Sequence, residues 1–257
     1  MTAASRHDRI ASLRVEIDAL ERLGAPRREA LAFGDKRIDA LLPGGGLALS
    51  CWHEFAGAGL DLETCAASAG LVARLVAPLA DRGEMVWVLR RDDLHAPGLA
   101  GLGLPAERLI QVCARDEAEV MAVMEDALRT PGVAAVVGEA DEADLVAGRR
   151  LQLACESGAA TGFLLRRRPF GGSARARVSA SAAATRWRVA PAPSAPTAAD
   201  DPGLGPARWQ LELERCRGGR TGAWIVEAWE EDDAAYPLRL VAELGDRDVA
   251  TPLRLAG

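Results

Sequence analysis

Gly57 and Thr64 bracket the stretch of this chain best spaced for chemistry. A phosphate-binding turn reads G-x-x-x-x-G-K-[ST] between a strand and a helix, and both residues fit that spacing. Leu62 stands at the second glycine and Glu63 at the lysine, while Gly59 adds freedom inside the turn. Such a turn works because backbone N–H groups and a helix N-terminus attract phosphate and the lysine reaches the terminal oxygens. A carboxylate about 4 Å from a polyanion is repelled by on the order of 4 kcal/mol at a near-surface dielectric. In the first turn of a helix, by contrast, a carboxylate caps free N–H groups. The stretch is therefore either a nucleotide loop that has lost its phosphate clamp, or a glycine-rich turn that never had one.

Composition narrows the choices. The chain has 257 residues, 49% hydrophobic and 26% charged, enough for one large domain with appendages. Lys36 is the only lysine, so no other lysine can replace the missing one. Net charge is −6, which argues against general nucleic-acid binding by the whole chain, but the charge is uneven. Residues 166–188 hold seven arginines and no acid, whereas the charged residues of 116–144 are nearly all acidic. Five scattered cysteines and three histidines form no zinc or disulfide pattern. No metal site or cofactor is expected. Reduced thiols, no apolar run of membrane-spanning length and no signal-peptide core point to the cytoplasm.

The elements that must position the loop follow from periodicity. Residues 7–23 read as an amphipathic helix with Ile10, Leu13, Ile17 and Leu20 on one stripe. That stripe packs either on its own domain or on a neighbouring subunit or partner. A helical turn near Ile38 and a glycine-rich stretch lead into a strand over 48–56. A helix over 66–81 follows, with Leu71, Leu75 and Leu79 on one face. Continuous apolar runs at 85–89, 133–138 and 161–165 mark strands buried on both sides. Helices over 117–129 and 144–157 alternate with them, so the sheet is parallel with right-handed crossovers. Residues 190–207 read as a Pro/Ala-rich connector. Alternating residues at 208–215 and 222–229, joined by the Arg217–Arg220 turn, predict antiparallel strands. The expected division is 1–28 helix and linker, 29–189 core, 190–207 connector, and 208–257 C-terminal β extension and tail.

This order of elements resembles the RecA core over roughly residues 30–230. The approach from Arg37 to Thr64, the segment 99–110, the strand Ala134–Gly138 and the strand Phe163–Arg166 with its Arg/Gly sequel carry the likeness. It implies an α/β fold: a RecA-like P-loop NTPase core, its mostly parallel central sheet flanked by helices, with antiparallel C-terminal strands. More closely, Trp87–Pro97 and Trp209–Trp224 resemble the ImuA family, RecA-like proteins of bacterial damage-inducible mutagenesis cassettes. That resemblance implies a partner role beside ImuB, a polymerase-like protein, and an error-prone replicative-type polymerase, within SOS-regulated translesion synthesis. RecA itself is a further candidate partner, and homo-oligomers are open.

Departures from the active pattern point to lost ATP turnover. Glu63 replaces the lysine. Arg91 falls where the family places the carboxylate that activates water, and a guanidinium accepts no proton. The second carboxylate strand ends in Gly138-Glu139. Glu139 or Asp141 could hold Mg²⁺, but a metal without a phosphate clamp has little to do. The first reading is thus a catalytically degenerate adaptor. The alternatives are a divergent ATPase or DNA-binding recombinase, with Arg90, Arg91 or an arginine from a neighbouring subunit on the phosphates, and an inhibitor of cell division of the SulA type. Arg166, Arg167, Arg168, Arg175 and Arg177 could follow single-stranded DNA with Trp187 stacked on a base. Otherwise they form a solvated loop with Trp187 in the core of the next strand.

Overall fold

The structure is a computed structural model, and it describes residues 29–167, 181–195, 205–228 and 238–244. Eleven strands and five helices are described. A two-stranded ribbon pairs β1 (Ala30–Leu31) with β2 (Leu47–Ala48), around helix α1 (Lys36–Asp39). Asp35 caps α1 by accepting from the Arg37 N–H. The core then alternates β3 (Trp52–Gly57), α2 (Asp61–Val76), β4 (Glu84–Leu89), α3 (Ala96–Ala100) and β5 (Leu109–Cys113). It continues with α4 (Glu117–Arg129), β6 (Val133–Ala140), α5 (Leu145–Gly158), β7 (Thr161–Arg166), β8 (Thr185–Ala192), β9 (Arg208–Cys216), β10 (Gly222–Ala228) and β11 (Leu238–Glu243).

The large sheet runs β11-β10-β9-β8-β3-β7-β6-β4-β5. From β8 to β5 all neighbours are parallel; β8 to β11 are antiparallel. Both parts match expectation. On one face Leu71, Leu75 and Leu79 pack with Phe55, Trp87 and the inward residues of β9 and β10. On the other, Val120, Met124, Leu128 and Leu151 of α4 and α5 meet Trp52, Val88 and Val136. Burying both faces explains the continuous apolar runs of β4, β6 and β7.

Three expectations change. The strand expected over 48–56 is broken: Leu47–Ala48 pairs with β1, Ser50 takes a left-handed φ of 55°, and β3 begins only at Trp52. The helix after the glycine-rich turn begins at Asp61 rather than Ala66. Leu62 in place of glycine favours helix, and Asp61 and Glu63 suit its N-terminal turn. Residues 185–192 form strand β8, parallel to β3, which agrees with the second reading of Trp187, in the core of the next strand, and shortens the expected connector. Trp187 and Val189 are fully buried and alternate with Arg186 and Arg188. Trp187 is therefore no base-stacking platform. It stacks on Phe55 at 6.1 Å and 7° and lies 5.1 Å from Phe33. Its indole N–H donates to Thr185 Oγ1. Ile10, Leu13, Ile17 and Leu20 lie outside the described residues. None of the described helices is long and apolar enough to cross a membrane.

Candidate functional site

Ligands of open parallel sheets bind beyond the carboxyl ends of the strands. Here that edge is formed by the ends of β3, β4, β6 and β7. Only Ala58, Gly59 and Leu60 separate β3 from α2. Gly57 must lack a side chain, because a Cβ there would meet Thr64 Oγ1 at 2.0 Å. Thr64 is buried, and its hydroxyl donates to the Leu60 carbonyl at 3.0 Å. Glu63 turns back on its own loop, accepting from the Leu60 N–H at 3.4 Å. A Cβ at Gly59 would come within 3.0 Å of that carboxylate. Leu62 is 92% exposed at the glycine position. One loop amide that a phosphate would use is thus taken by Glu63.

The centre of the edge is occupied by Arg167, the residue after β7, which is only 6% exposed. Its Nη1 donates to Glu139 Oε2 at 2.7 Å and to Asp93 Oδ1 at 3.1 Å. Its Nη2 donates to Asp93 Oδ2 at 3.0 Å and Asp61 Oδ2 at 3.3 Å. Its Nε donates to Asp61 Oδ1 at 3.4 Å. Every N–H of the guanidinium has a carboxylate acceptor, two of the three carboxylates bidentate. Glu139 also accepts from the Trp87 indole at 2.9 Å, and the Arg167 N–H donates to the Ala140 carbonyl. The acids arrive from three places: the first turn of α2, the turn after β4, and the end of β6.

Electrostatics follow the geometry. Burial works against the Arg167 charge, yet its bonds to Asp93, Glu139 and Asp61 outweigh that and raise its pKa. The same guanidinium holds the Asp93 carboxyl below its ordinary value. Glu139 lies deepest, so burial pushes its carboxyl up against the pull of Arg167 and Trp87. Three carboxylates surround the one guanidinium, and the Arg91 side chain lies 3.8 Å from one of them, Asp93. Beside this cluster, a cleft of about 260 Å³ is walled by Ala66, Ala69, Leu94, Leu99 and Leu102, with Asp93 and Arg167 at its rim.

A second ion pair lies behind this one. Arg166 donates to the Asp141 carbonyl at 2.7 Å and reaches Glu54 at 3.4 Å, and Arg186 reaches the other Glu54 oxygen at 3.2 Å. Arg166 and Arg167, expected as DNA contacts, are therefore turned into the protein. Buried acids at neighbouring strand ends supply acceptors that solvent-facing arginines would lack. Arg168, Arg175 and Arg177 lie outside the described residues.

The remaining predicted positions separate. Arg91 has a side chain 59% exposed, with Nε 3.8 Å from Asp93; Asp93, two residues on, faces the centre. Arg90 points to Glu117 at 2.8 Å. Gly138 answers to packing: a Cβ there would lie 2.1 Å from Met124 Sδ on α4. Glu139, near the carboxyl end of β6, is at the centre. Asp61, Asp93 and Trp87 were missed as site residues. The available signal was position, since Asp61 and Asp93 each fall within four residues of a strand's carboxyl end.

Protein ImuA of Caulobacter vibrioides, in two strains, is 59% identical over 225 residues, 86% of this chain and 92% of the relative. No family model matches the chain. Among solved structures, the RadB recombinase superposes with a TM-score of 0.55 at 16% identity, covering 82% of this chain and all of that one. At that identity the superposition speaks for a RecA-like fold alone.

Proposed function

The chain belongs to the ImuA family, and from that premise we propose that it is a catalytically degenerate RecA-like accessory protein of damage-induced translesion synthesis. It acts in the cytoplasm as an adaptor beside ImuB and an error-prone replicative-type polymerase, with RecA as a further candidate partner. The observation that carries the reading is Glu63, which stands at the lysine position and accepts from its own loop amide at Leu60. A triphosphate there would meet a carboxylate in place of a cation, beside the further acids Asp61, Asp93 and Glu139. These residues do not fit a magnesium nucleotide. Neither Arg90 nor Arg91 makes up for the lysine: the first is held by Glu117 and the second reaches toward Asp93.

Two measurements test the proposal. Titration calorimetry of the full chain with Mg-ATP should give no heat of binding, and the steady-state ATPase rate should equal background. Tight binding, or a rate abolished by Thr64→Ala, would instead favour the divergent ATPase. Affinity capture from cells after DNA damage should recover ImuB; recovery of a division protein in its place would favour the inhibitor reading.

A further inference from the structure

We propose that the crevice at the carboxyl edge of the sheet is a guanidinium site whose resident ligand is Arg167 of the same chain. The inference concerns what fills the crevice and stands apart from the partners named above. Three features select a guanidinium over other cations. The acceptors match its fork: Asp93 takes the two terminal nitrogens end-on and Asp61 takes Nε and Nη2 side-on. Glu139 takes the remaining Nη1 hydrogen, and its own other oxygen is engaged by Trp87. A Mg²⁺ ion keeps near-octahedral ligands at about 2.1 Å and holds on to its waters, whereas these oxygens are set around a planar donor. An ammonium is a point charge with three donors and cannot serve both bidentate acids.

The position gives the site its role. Arg167 ties together the first turn of α2, the turn after β4 and the end of β6, from the end of β7. A metal nucleotide bridges such segments from outside and has to be bound. Here the bridging cation is covalently part of the chain, so the segments are joined without any ligand in solution. Arg167 is accordingly a positioning residue, and the carboxyl edge of this protein holds one arrangement whether or not nucleotide is present.

Chemical rescue tests this on the full chain. Arg167→Ala should melt roughly 5–10 °C below wild type, since removing one partner of a buried ion cluster leaves the others unpaired. Guanidinium at about 20 mM, far below denaturing concentrations, should recover a substantial part of that loss at constant ionic strength. It should do nothing for wild type. Urea, the same shape without charge, should not rescue, and neither should Mg²⁺. If Arg167→Ala does not fold, Arg167→Lys decides: it keeps the charge, loses the fork, and should still melt several degrees below wild type. The proposal falls if Arg167→Lys melts with wild type. It also falls if Arg167→Ala melts within a degree of wild type, if guanidinium fails to rescue it, or if Mg²⁺ or urea rescues it as well as guanidinium.

Discussion

At the residue scale, position 63 and position 167 act on the same space from two directions. Glu63 removes the attraction for phosphate at the loop, and Arg167 with its acids fills the ground behind it. On the proposed reading, Glu63→Lys alone should not confer nucleotide binding. The new lysine would find Asp61 within the same turn, while Asp93 and Glu139 would still hold Arg167. Calorimetry with Mg-ATP should remain flat for this variant. The exchange at Glu63 is readable from the chain alone, because a motif supplies its own ruler. Arg167 was not readable in the same way: it is one of seven arginines in a short stretch, and only the parallel placement of β7 beside β6 brings it to Glu139. Arginine-rich sequence reads as surface, and three acids distant in the chain turned this one inward.

At the scale of elements, two contacts make sharp predictions. Gly138 of β6 lets α4 approach, so Gly138→Ala should cost about 1–3 kcal/mol through overpacking on Met124. Urea unfolding would measure it, and Met124→Ala in the same chain should offset part of the clash, giving non-additive losses. The second contact joins β3 to β8. His53 is fully buried, its Nε2 2.9 Å from the Ala48 carbonyl and its Nδ1 2.7 Å from Thr185 Oγ1. Nε2 carries the proton to the carbonyl, and the Thr185 hydroxyl donates to Nδ1 while accepting from Trp187. Burial lowers the His53 pKa to about 4. The ring is neutral in the fold and titrates near its ordinary value when unfolded. Its contribution is thus full above that value and lost as pH falls toward 4, a loss of about 3 kcal/mol. The stability difference between wild type and His53→Asn should shrink as pH falls from about 7 to about 4.5. The strands and the longer helices were legible in the chain because their periods are unambiguous. Strand β8 was legible only as one of two readings of Trp187, because Arg186 and Arg188 on one face and Pro191 near its end disguised the alternation of Trp187 and Val189.

At the scale of the whole molecule, the fold is RecA-like and the chain belongs to the ImuA family. The stripe Ile10, Leu13, Ile17 and Leu20, which the sequence places on one face of an expected helix, is proposed as a contact with a neighbouring subunit or partner. Leu13→Asp or Ile17→Asp should weaken self-association or the recovery of ImuB. Sedimentation velocity and affinity capture would report it, and unchanged results in both would assign the stripe to the chain's own core. Neither substitution should alter the melting shift produced by Arg167→Ala, since the crevice is closed from within. That closure governs how the edge comes apart. Because four segments share one buried cation, loss of Arg167 strands Asp61, Asp93 and Glu139 together, so exchanges within the cluster should be strongly non-additive and the four segments should loosen as one unit.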